Sequence, residues 1–144
     1  MPLFALPGSG EYPVQPVHVE DLARICVEAA CFTGAAVVDA AGPERMAFSE
    51  FAACVRSALG ARSPIVHLPP PLMALAARAL GLLVRDVVLT PEEIKRLMAG
   101  LLVSHEPPRG RIAFSGWLDE HKTSVGRSYA NELDRHFIAN AAAA

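Results

Sequence analysis

The chain has few aromatic residues and no paired cysteines. Aromatic side chains make up 6% of its 144 residues, whereas hydrophobic residues make up 52%. A core built mainly from Ala, Leu and Val favours packed helices over an aromatic-rich barrel. The cysteines Cys26, Cys31 and Cys54 are odd in number and lack the CxxC spacing of metal and redox sites. We expect them to be buried structural thiols in one domain.

An excess of charge of one sign and a long hydrophobic run are also missing. The net charge is −2 and the pI is about 6.2, so no basic surface is expected and nucleic acid is excluded as a partner. The longest apolar run, 69–84, contains Arg78 and is shorter than the roughly 20 residues that cross a bilayer. No charged segment leads into an apolar signal-peptide run. These absences predict a cytoplasmic protein with no membrane span.

Motifs for metal binding and for hydrolysis are absent as well. His67, His105, His121 and His136 are far apart and form no HExxH or His-x-His group, so we expect no zinc site. Ser115 is followed by one glycine and preceded by phenylalanine, which is not the GxSxG turn of a hydrolase. No hydrolytic triad is predicted.

The most informative pattern is the segment from Gly10 to Ala30. Val17 and Val19 indicate a short extended run, and Asp21, in preference to Glu20, is predicted to cap the helix that follows. The apolar positions of that helix recur at helical spacing and comprise Leu22, Ala23, Ile25, Cys26 and Ala29. The segment therefore predicts a strand that leads into a core-facing amphipathic helix.

Strand and helix patterns alternate further along the chain. Ala36 to Ala40 is predicted to be a buried strand that ends in an Ala-Gly-Pro turn. Ser49 is expected to cap a helix that stops at Gly60. The run from Pro64 to Leu68 indicates another strand.

The second half of the chain is richer in helix signals. Three prolines precede a helix predicted from about Leu72 to Val84, which is apolar nearly all round and should be covered on several sides. Thr90, Pro91 and Glu93 form a capping box for the next helix. The final predicted elements are a loop over 105–116, helical turns near Trp117 and Leu118, a helix over 129–137 with Leu133 and Phe137 inward, and a flexible tail over 139–144.

These pieces, in this order, resemble the C-terminal region of the extended short-chain dehydrogenase/reductases, the NAD-dependent epimerase/dehydratase family. The resemblance rests on GEYPVQPVHVEDLARICVEAA, VVDAAGPERMAFSEFAACVRSALG, IVHLPPPLMALAARAL and LTPEEIKRL. It is closest to the atypical members grouped with the accessory subunit of respiratory complex I. The resemblance implies an α/β fold: a helix-rich C-terminal lobe of a Rossmann-type protein over 1–138, with short strands and an incomplete sheet that the run 36–40 would join.

The family's cofactor and catalytic motifs are missing. Gly8-Ser9-Gly10 lacks the later glycine of a dinucleotide turn, follows Pro7 rather than a hydrophobic strand, and is not followed by a helix pattern. Neither Lys95 nor Lys122 follows a tyrosine in a Tyr-x-x-x-Lys pair. We therefore assign no catalytic and no cofactor-binding residue here, and NAD(P) is implied only for a complete family member. The chain is expected to be a substrate-binding lobe or a non-enzymatic binding or oligomerisation module derived from one.

Four residues are candidates for contact with a small-molecule substrate. In the family that the chain resembles, the neighbourhood of Gln15 and His18 lies near the substrate, although a solvated Gln15 and a partly buried strand histidine are the simpler interpretations. Arg109 and Arg111 are able to bind a phosphate or carboxylate through forked hydrogen bonds, and the alternative is a solvated basic loop.

The expected partner is a second copy of the chain or a missing N-terminal Rossmann portion. An exposed edge strand and a helix that is apolar all round both require cover.

Overall fold

The fold is mixed α/β, with helices dominating. A computed structural model describes residues 3–126 and 131 of the chain. In this described part, the short strands are β1 (Phe4–Pro7), β2 (Pro13–Val14), β3 (Met46–Ala47) and β4 (Ile65–Leu68). The helices are α1 (Val19–Ala30), α2 (Phe48–Ala58), α3 (Pro70–Val84), α4 (Pro91–Met98) and α5 (Phe114–His121). Apart from Asn131, the predicted 129–137 helix, with Leu133 and Phe137, and the 139–144 tail lie outside the described residues.

The strands form two small sheets. Strands β1 and β4 are parallel, in a register that pairs Phe4 with Ile65 and Pro7 with Leu68. Strands β2 and β3 are antiparallel, and Val14 also forms an isolated parallel bridge with Leu102. Helices α2 and α3 both pack on β1. The sheets are thus short and incomplete, as predicted.

Helix α1 begins earlier than predicted, and Asp21 is not its cap. The N-cap is His18, whose Nδ1 accepts a hydrogen bond from the Glu20 N–H at 3.3 Å. The strand before the helix is β2, which ends at Val14, so the predicted extended run at Val17 and Val19 is not a strand. Asp21 lies inside the first turn. Its carboxylate does not cap the helix and binds backbone N–H groups from a distant loop.

The predicted strand over 36–40 is wrong. These residues form no regular structure, and Val37 is 96% exposed. An apolar run becomes a buried strand only where another strand pairs with it, and none of the described strands does so here. The chain becomes buried only at Ala41, whose carbonyl accepts a hydrogen bond from the Gly110 N–H at 2.8 Å.

Two further corrections concern α2 and the cysteines. Helix α2 begins at Phe48 with Ala47 as its N-cap, and Ser49 is inside the helix. The cap makes no side-chain hydrogen bond, and Glu50 Oε2 instead accepts the N–H of Ala47 itself at 2.9 Å. The cysteines are not buried: Cys26 and Cys31 are exposed and Cys54 is half-buried. Helix α1 buries only the narrow stripe of Asp21 and Ile25, so Cys26, the residue after Ile25, faces solvent.

Several predictions for the chain from Gly60 onward are confirmed. Strand β4 and helix α3 form as expected. Thr90 Oγ1 accepts the Glu93 N–H at 3.2 Å, and Glu93 Oε2 accepts the Thr90 N–H at 2.7 Å, which completes the capping box. This hydrogen bond lowers the pKa of Glu93. Gly60 follows α2 with φ of 61°, and its N–H binds the Ser57 carbonyl, so it terminates the helix.

Four of the aromatic residues form one row. Ring centroids lie 5.4 Å apart for Tyr12 and Phe48, 5.9 Å for Phe48 and Phe51, and 4.6 Å for Phe51 and Phe114. The row joins the segment before β2 to α2 and α5.

Among the described residues, no helix combines the length and hydrophobicity that a membrane crossing requires.

We expect Gly42→Ala to destabilise the fold by roughly 1–3 kcal/mol or more, as overpacked sites do. A Cβ at Gly42 would lie 1.8 Å from the Pro16 carbonyl oxygen, so the backbone must shift. Gly116→Ala is the matched control: no atom lies within 4 Å of its Cβ, and alanine inside α5 should stabilise by up to about 1 kcal/mol. Urea unfolding of both variants measures this, and equal midpoints for Gly42→Ala and wild type would contradict it.

Candidate functional site

The candidate site is a cleft of about 600 Å³ beside β2. Phe48 and Phe51 of α2 form one part of its wall, and the chain from Leu97 to Ser104 forms another. The remaining lining residues come from 14–17 and 38–41. Most of the lining is apolar, and its polar side chains are Gln15, Asp39 and Ser104. A mostly apolar cleft with a few polar groups is typical of small-molecule sites.

Gln15 lines the cleft and holds its walls together. Its backbone N–H donates to the Leu102 carbonyl at 2.9 Å. Its side-chain Nε2 donates to the Gly42 carbonyl at 2.8 Å, and its Oε1 accepts the Ser104 N–H at 3.1 Å. The amide has one further N–H and one further lone pair to offer a ligand. Gln15 is therefore a half-buried clamp between two loops, and not the simply solvated residue of the alternative interpretation.

Asp39 and Ser104 form a polar pair that sequence reasoning missed. Ser104 Oγ donates to Asp39 Oδ2 at 2.6 Å and accepts the Glu106 N–H at 2.9 Å. Asp39 is exposed, so its carboxylate is accessible at the cleft. The two residues are far apart in sequence, and no local pattern marks them. The position of Asp39, directly after an apolar run, is the one sequence signal available.

His18 lies outside the cleft lining. Besides capping α1, its ring lies 5.6 Å from the Trp117 ring, between centroids, and Trp117 stacks on His121 at 4.5 Å. Because Nδ1 accepts from the Glu20 N–H, the neutral ring carries its proton on Nε2. His18 is thus bonded to backbone, as in the alternative interpretation, but at a helix cap rather than in a strand.

The loop that carries Arg109 and Arg111 is attached to α1 through its backbone. Asp21 Oδ2 accepts the N–H of Arg111 at 2.7 Å and that of Ile112 at 2.8 Å. Arg24 Nη2 contacts Asp21 Oδ1 at 3.1 Å and donates to the Arg109 carbonyl at 2.6 Å. These bonds, from Ile112 first and then Arg111 and Arg24, hold the pKa of Asp21 below its ordinary value.

The two loop arginines do not join the cleft. Arg109 and Arg111 are exposed, and neither lines it. The structure uses their backbone groups, and among the described residues their guanidinium groups form no salt bridge. Of the four predicted substrate-binding residues, Gln15 alone lies in the cleft. Gln15, His18 and the two arginines are therefore not gathered into one site.

The glycine turn follows a strand after all, but it does not open a helix. Gly8 comes directly after β1, and Pro7 is the last residue of that strand, whereas we predicted that no strand precedes the turn. The chain then continues into β2 without an intervening helix. The Gly8 N–H donates to the Leu68 carbonyl, and a Cβ on Gly8 would lie 2.6 Å from Met98 Cε. The turn therefore lacks the helix N-terminus that binds a pyrophosphate in dinucleotide sites.

Tyr12 is not suited to exchange protons at neutral pH. Its hydroxyl donates to the Pro7 carbonyl at 3.0 Å, and burial raises the pKa of Tyr12 to about 12. A catalytic tyrosine of the reductase type needs its pKa lowered instead. Within the described part of the chain, His, Cys, Asp and Glu side chains form no group of three or more that would hold a metal ion.

No protein-family model matches this sequence, and no curated protein matches it.

We expect Asp21→Asn to lower stability at neutral pH, since the amide lacks the charge that the loop N–H groups and Arg24 favour. Folding lowers the pKa of Asp21 from 3.8, so its stabilising contribution is complete above pH 3.8 and is lost as the pH falls through the folded-state value. The stability difference between wild type and variant should shrink over that acid range. Urea unfolding at several pH values measures it.

Asp119→Asn is the control for this pH dependence. Asp119 contacts Lys122 at 2.8 Å, but its side chain is 77% exposed, so little change in stability is expected at any pH. A constant Asp21→Asn difference down to strongly acidic pH would contradict the prediction.

Proposed function

We propose that this chain forms the substrate-side lobe of a cytoplasmic NAD(P)-dependent oxidoreductase of the epimerase/dehydratase type and binds a small molecule in the cleft beside β2. The observation that carries the proposal is the cleft itself, which is apolar except for Gln15 and the Asp39 and Ser104 pair. The family resemblance of the sequence supplies the reaction class, and it is an analogy at the level of fold.

The polar groups of the cleft favour a particular kind of ligand. Asp39 offers an accessible carboxylate oxygen, and Ser104 Oγ holds that carboxylate in place. A carboxylate accepts hydrogen bonds, so it favours a hydroxyl or ammonium group on the ligand. Phe51, Leu97 and Leu101 would then contact an apolar body. The expected substrate is a compact molecule with an apolar body and a hydrogen-bond donor at one end.

Hydride transfer would depend on a nucleotide-binding portion outside this lobe. The turn at Gly8 opens no helix, and Tyr12 keeps its proton to about pH 12. The chain's own residues would bind and orient the substrate and exclude water from its apolar part. NAD(P), held by the other portion, would supply the redox chemistry.

A non-enzymatic binding module is the second candidate. Both ends of the Gln15 amide are bonded to backbone groups, and the Ser104 hydroxyl is bonded to the Asp39 carboxylate. Such internal bonding favours a rigid scaffold over a reactive site. An in-frame glycine-rich strand, turn and helix with a Tyr-x-x-x-Lys pair upstream of Met1 would favour the enzyme, whereas a nearby stop codon would favour the module.

We expect NADH and NADPH to show no micromolar binding to this chain alone. The sequence has no Tyr-x-x-x-Lys pair, and in the part of the chain that the structure describes no glycine-rich turn opens a helix that would hold the dinucleotide. Nicotinamide fluorescence and titration calorimetry measure it. A micromolar dissociation constant would contradict the proposal that the lobe depends on another portion.

We expect small apolar alcohols and amines to shift the NMR signals of the Gln15 side-chain amide and the Ser104 N–H. Both groups line the cleft, and a ligand that donates to Asp39 must approach them. Asp39→Asn should weaken the binding of amines several-fold, because the charge is removed. Glu120→Gln, which changes an exposed carboxylate on α5 that does not line the cleft, is the control. Shifts at α3 alone, with none at the cleft, would contradict the assignment.

A further inference from the structure

The outer face of α3 is apolar. Leu75, Leu82 and Leu83 are 64%, 77% and 80% exposed, whereas the residues that α3 buries fully are the small Ala77 and Gly81. A surface helix of a globular protein normally carries polar residues on its outer face. This face therefore has the composition of a surface that is covered.

A groove of about 750 Å³ runs along this face. Residues 74–85 of α3 line one side of it, and residues 86–91 line the other. Val87 and Val88 on the second side are 59% and 40% exposed, so both walls are largely apolar. A groove of this kind accepts the apolar face of an amphipathic helix.

The chain itself reaches the end of this groove at Asn131. The Asn131 Nδ2 group donates to the Val84 carbonyl and to the Arg85 carbonyl, each at 3.3 Å. These carbonyls belong to the C-terminal end of α3, where the helix leaves such groups without an intrahelical partner. Arg85 is the C-cap and also lines the groove. The sequence that follows Asn131 therefore starts beside the groove.

That sequence carries the apolar pattern that the groove requires. Leu133 and Phe137 are four residues apart, so they share one face of the helix predicted there, and Ile138 adjoins that face. At about 1.5 Å per residue, a helix over 131–138 is about 12 Å long, and the 74–85 wall is about 18 Å long. The groove is long enough to hold the segment.

The charges of the groove and of this segment are opposite in balance. The charged residues that line the groove are Arg78, Arg85 and Asp86, two basic and one acidic. Those of 132–138 are Glu132, Asp134 and Arg135, two acidic and one basic. Net attraction therefore adds to the apolar contact.

We propose that residues 132–138 of the same chain occupy the α3 groove as a helix antiparallel to α3, with Leu133 and Phe137 against its exposed leucines. The direction follows from Asn131, because the segment starts at the C-terminal end of α3 and the groove extends from there toward the N-terminal end. A tethered segment acts at an effective concentration on the order of millimolar, which favours it over a second copy at micromolar concentration. The proposal is independent of the cleft beside β2.

The first test is NMR spectroscopy of the full chain with isotope-labelled methyl groups. We expect nuclear Overhauser effects between the Phe137 ring and the methyl groups of Leu82 and Val88. In a mixture of labelled and unlabelled chains, these effects should not occur between different chains. Effects between chains would overturn the proposal, because the occupant would then be a second copy. The absence of any such effect would overturn it as well.

Hydrogen exchange of the 133–138 amides is the second test. A helix of this length is unstable alone in water, so slow exchange requires docking. Leu82→Glu should accelerate the exchange by roughly tenfold or more, and circular dichroism checks that the fold is intact. Val37→Glu, at a 96% exposed position that does not line the groove, is the matched control and should leave the exchange unchanged. Fast exchange in wild type, or equal rates in wild type and Leu82→Glu, would contradict the proposal.

Discussion

The Asp21 carboxylate is the interaction on which the site's surroundings depend. It is 4% exposed and accepts backbone N–H groups from Arg111 and Ile112 while it contacts Arg24. A buried carboxylate is stable only when such donors satisfy it. The loop attached in this way also carries Gly110, whose N–H binds the Ala41 carbonyl. One side chain therefore connects α1, the 109–112 loop and the segment that forms a wall of the cleft.

Gln15 performs a similar task within the cleft lining. It binds Leu102, Gly42 and Ser104, so the 38–42 and 101–104 segments are held without belonging to a sheet. Each of these segments would otherwise have unsatisfied backbone groups near the core. The cleft is thus enclosed by irregular chain that side-chain hydrogen bonds position. Such a framework keeps a binding site in place, which agrees with the proposed lobe.

The parallel sheet formed by β1 and β4 is smaller than parallel sheets usually are. Parallel sheets normally occur with helices on both faces and with several strands. Here α2 and α3 pack on β1, but in the described part the sheet has two strands. The small parallel sheet is therefore consistent with the proposed lobe, which functions with another portion.

Local chemistry decided what the sequence could predict. The capping box at Thr90 and Glu93 and the stop at Gly60 depend on neighbouring residues alone, and both formed as predicted. At Asp21 local chemistry was insufficient. A carboxylate at a helix start can bind N–H groups of its own first turn or any other donor. Here it binds distant N–H groups of the 109–112 loop.

By itself, the sequence determined the helix-rich α/β class, strand β4, and the positions of α3 and α4. Only the tertiary structure decided that 36–40 is not a strand, that Cys26 is exposed, and that Asp39 meets Ser104. The reason is physical: capping and turn formation are settled within a few residues, whereas strand pairing, burial and long-range hydrogen bonds depend on partners that the order of residues does not identify.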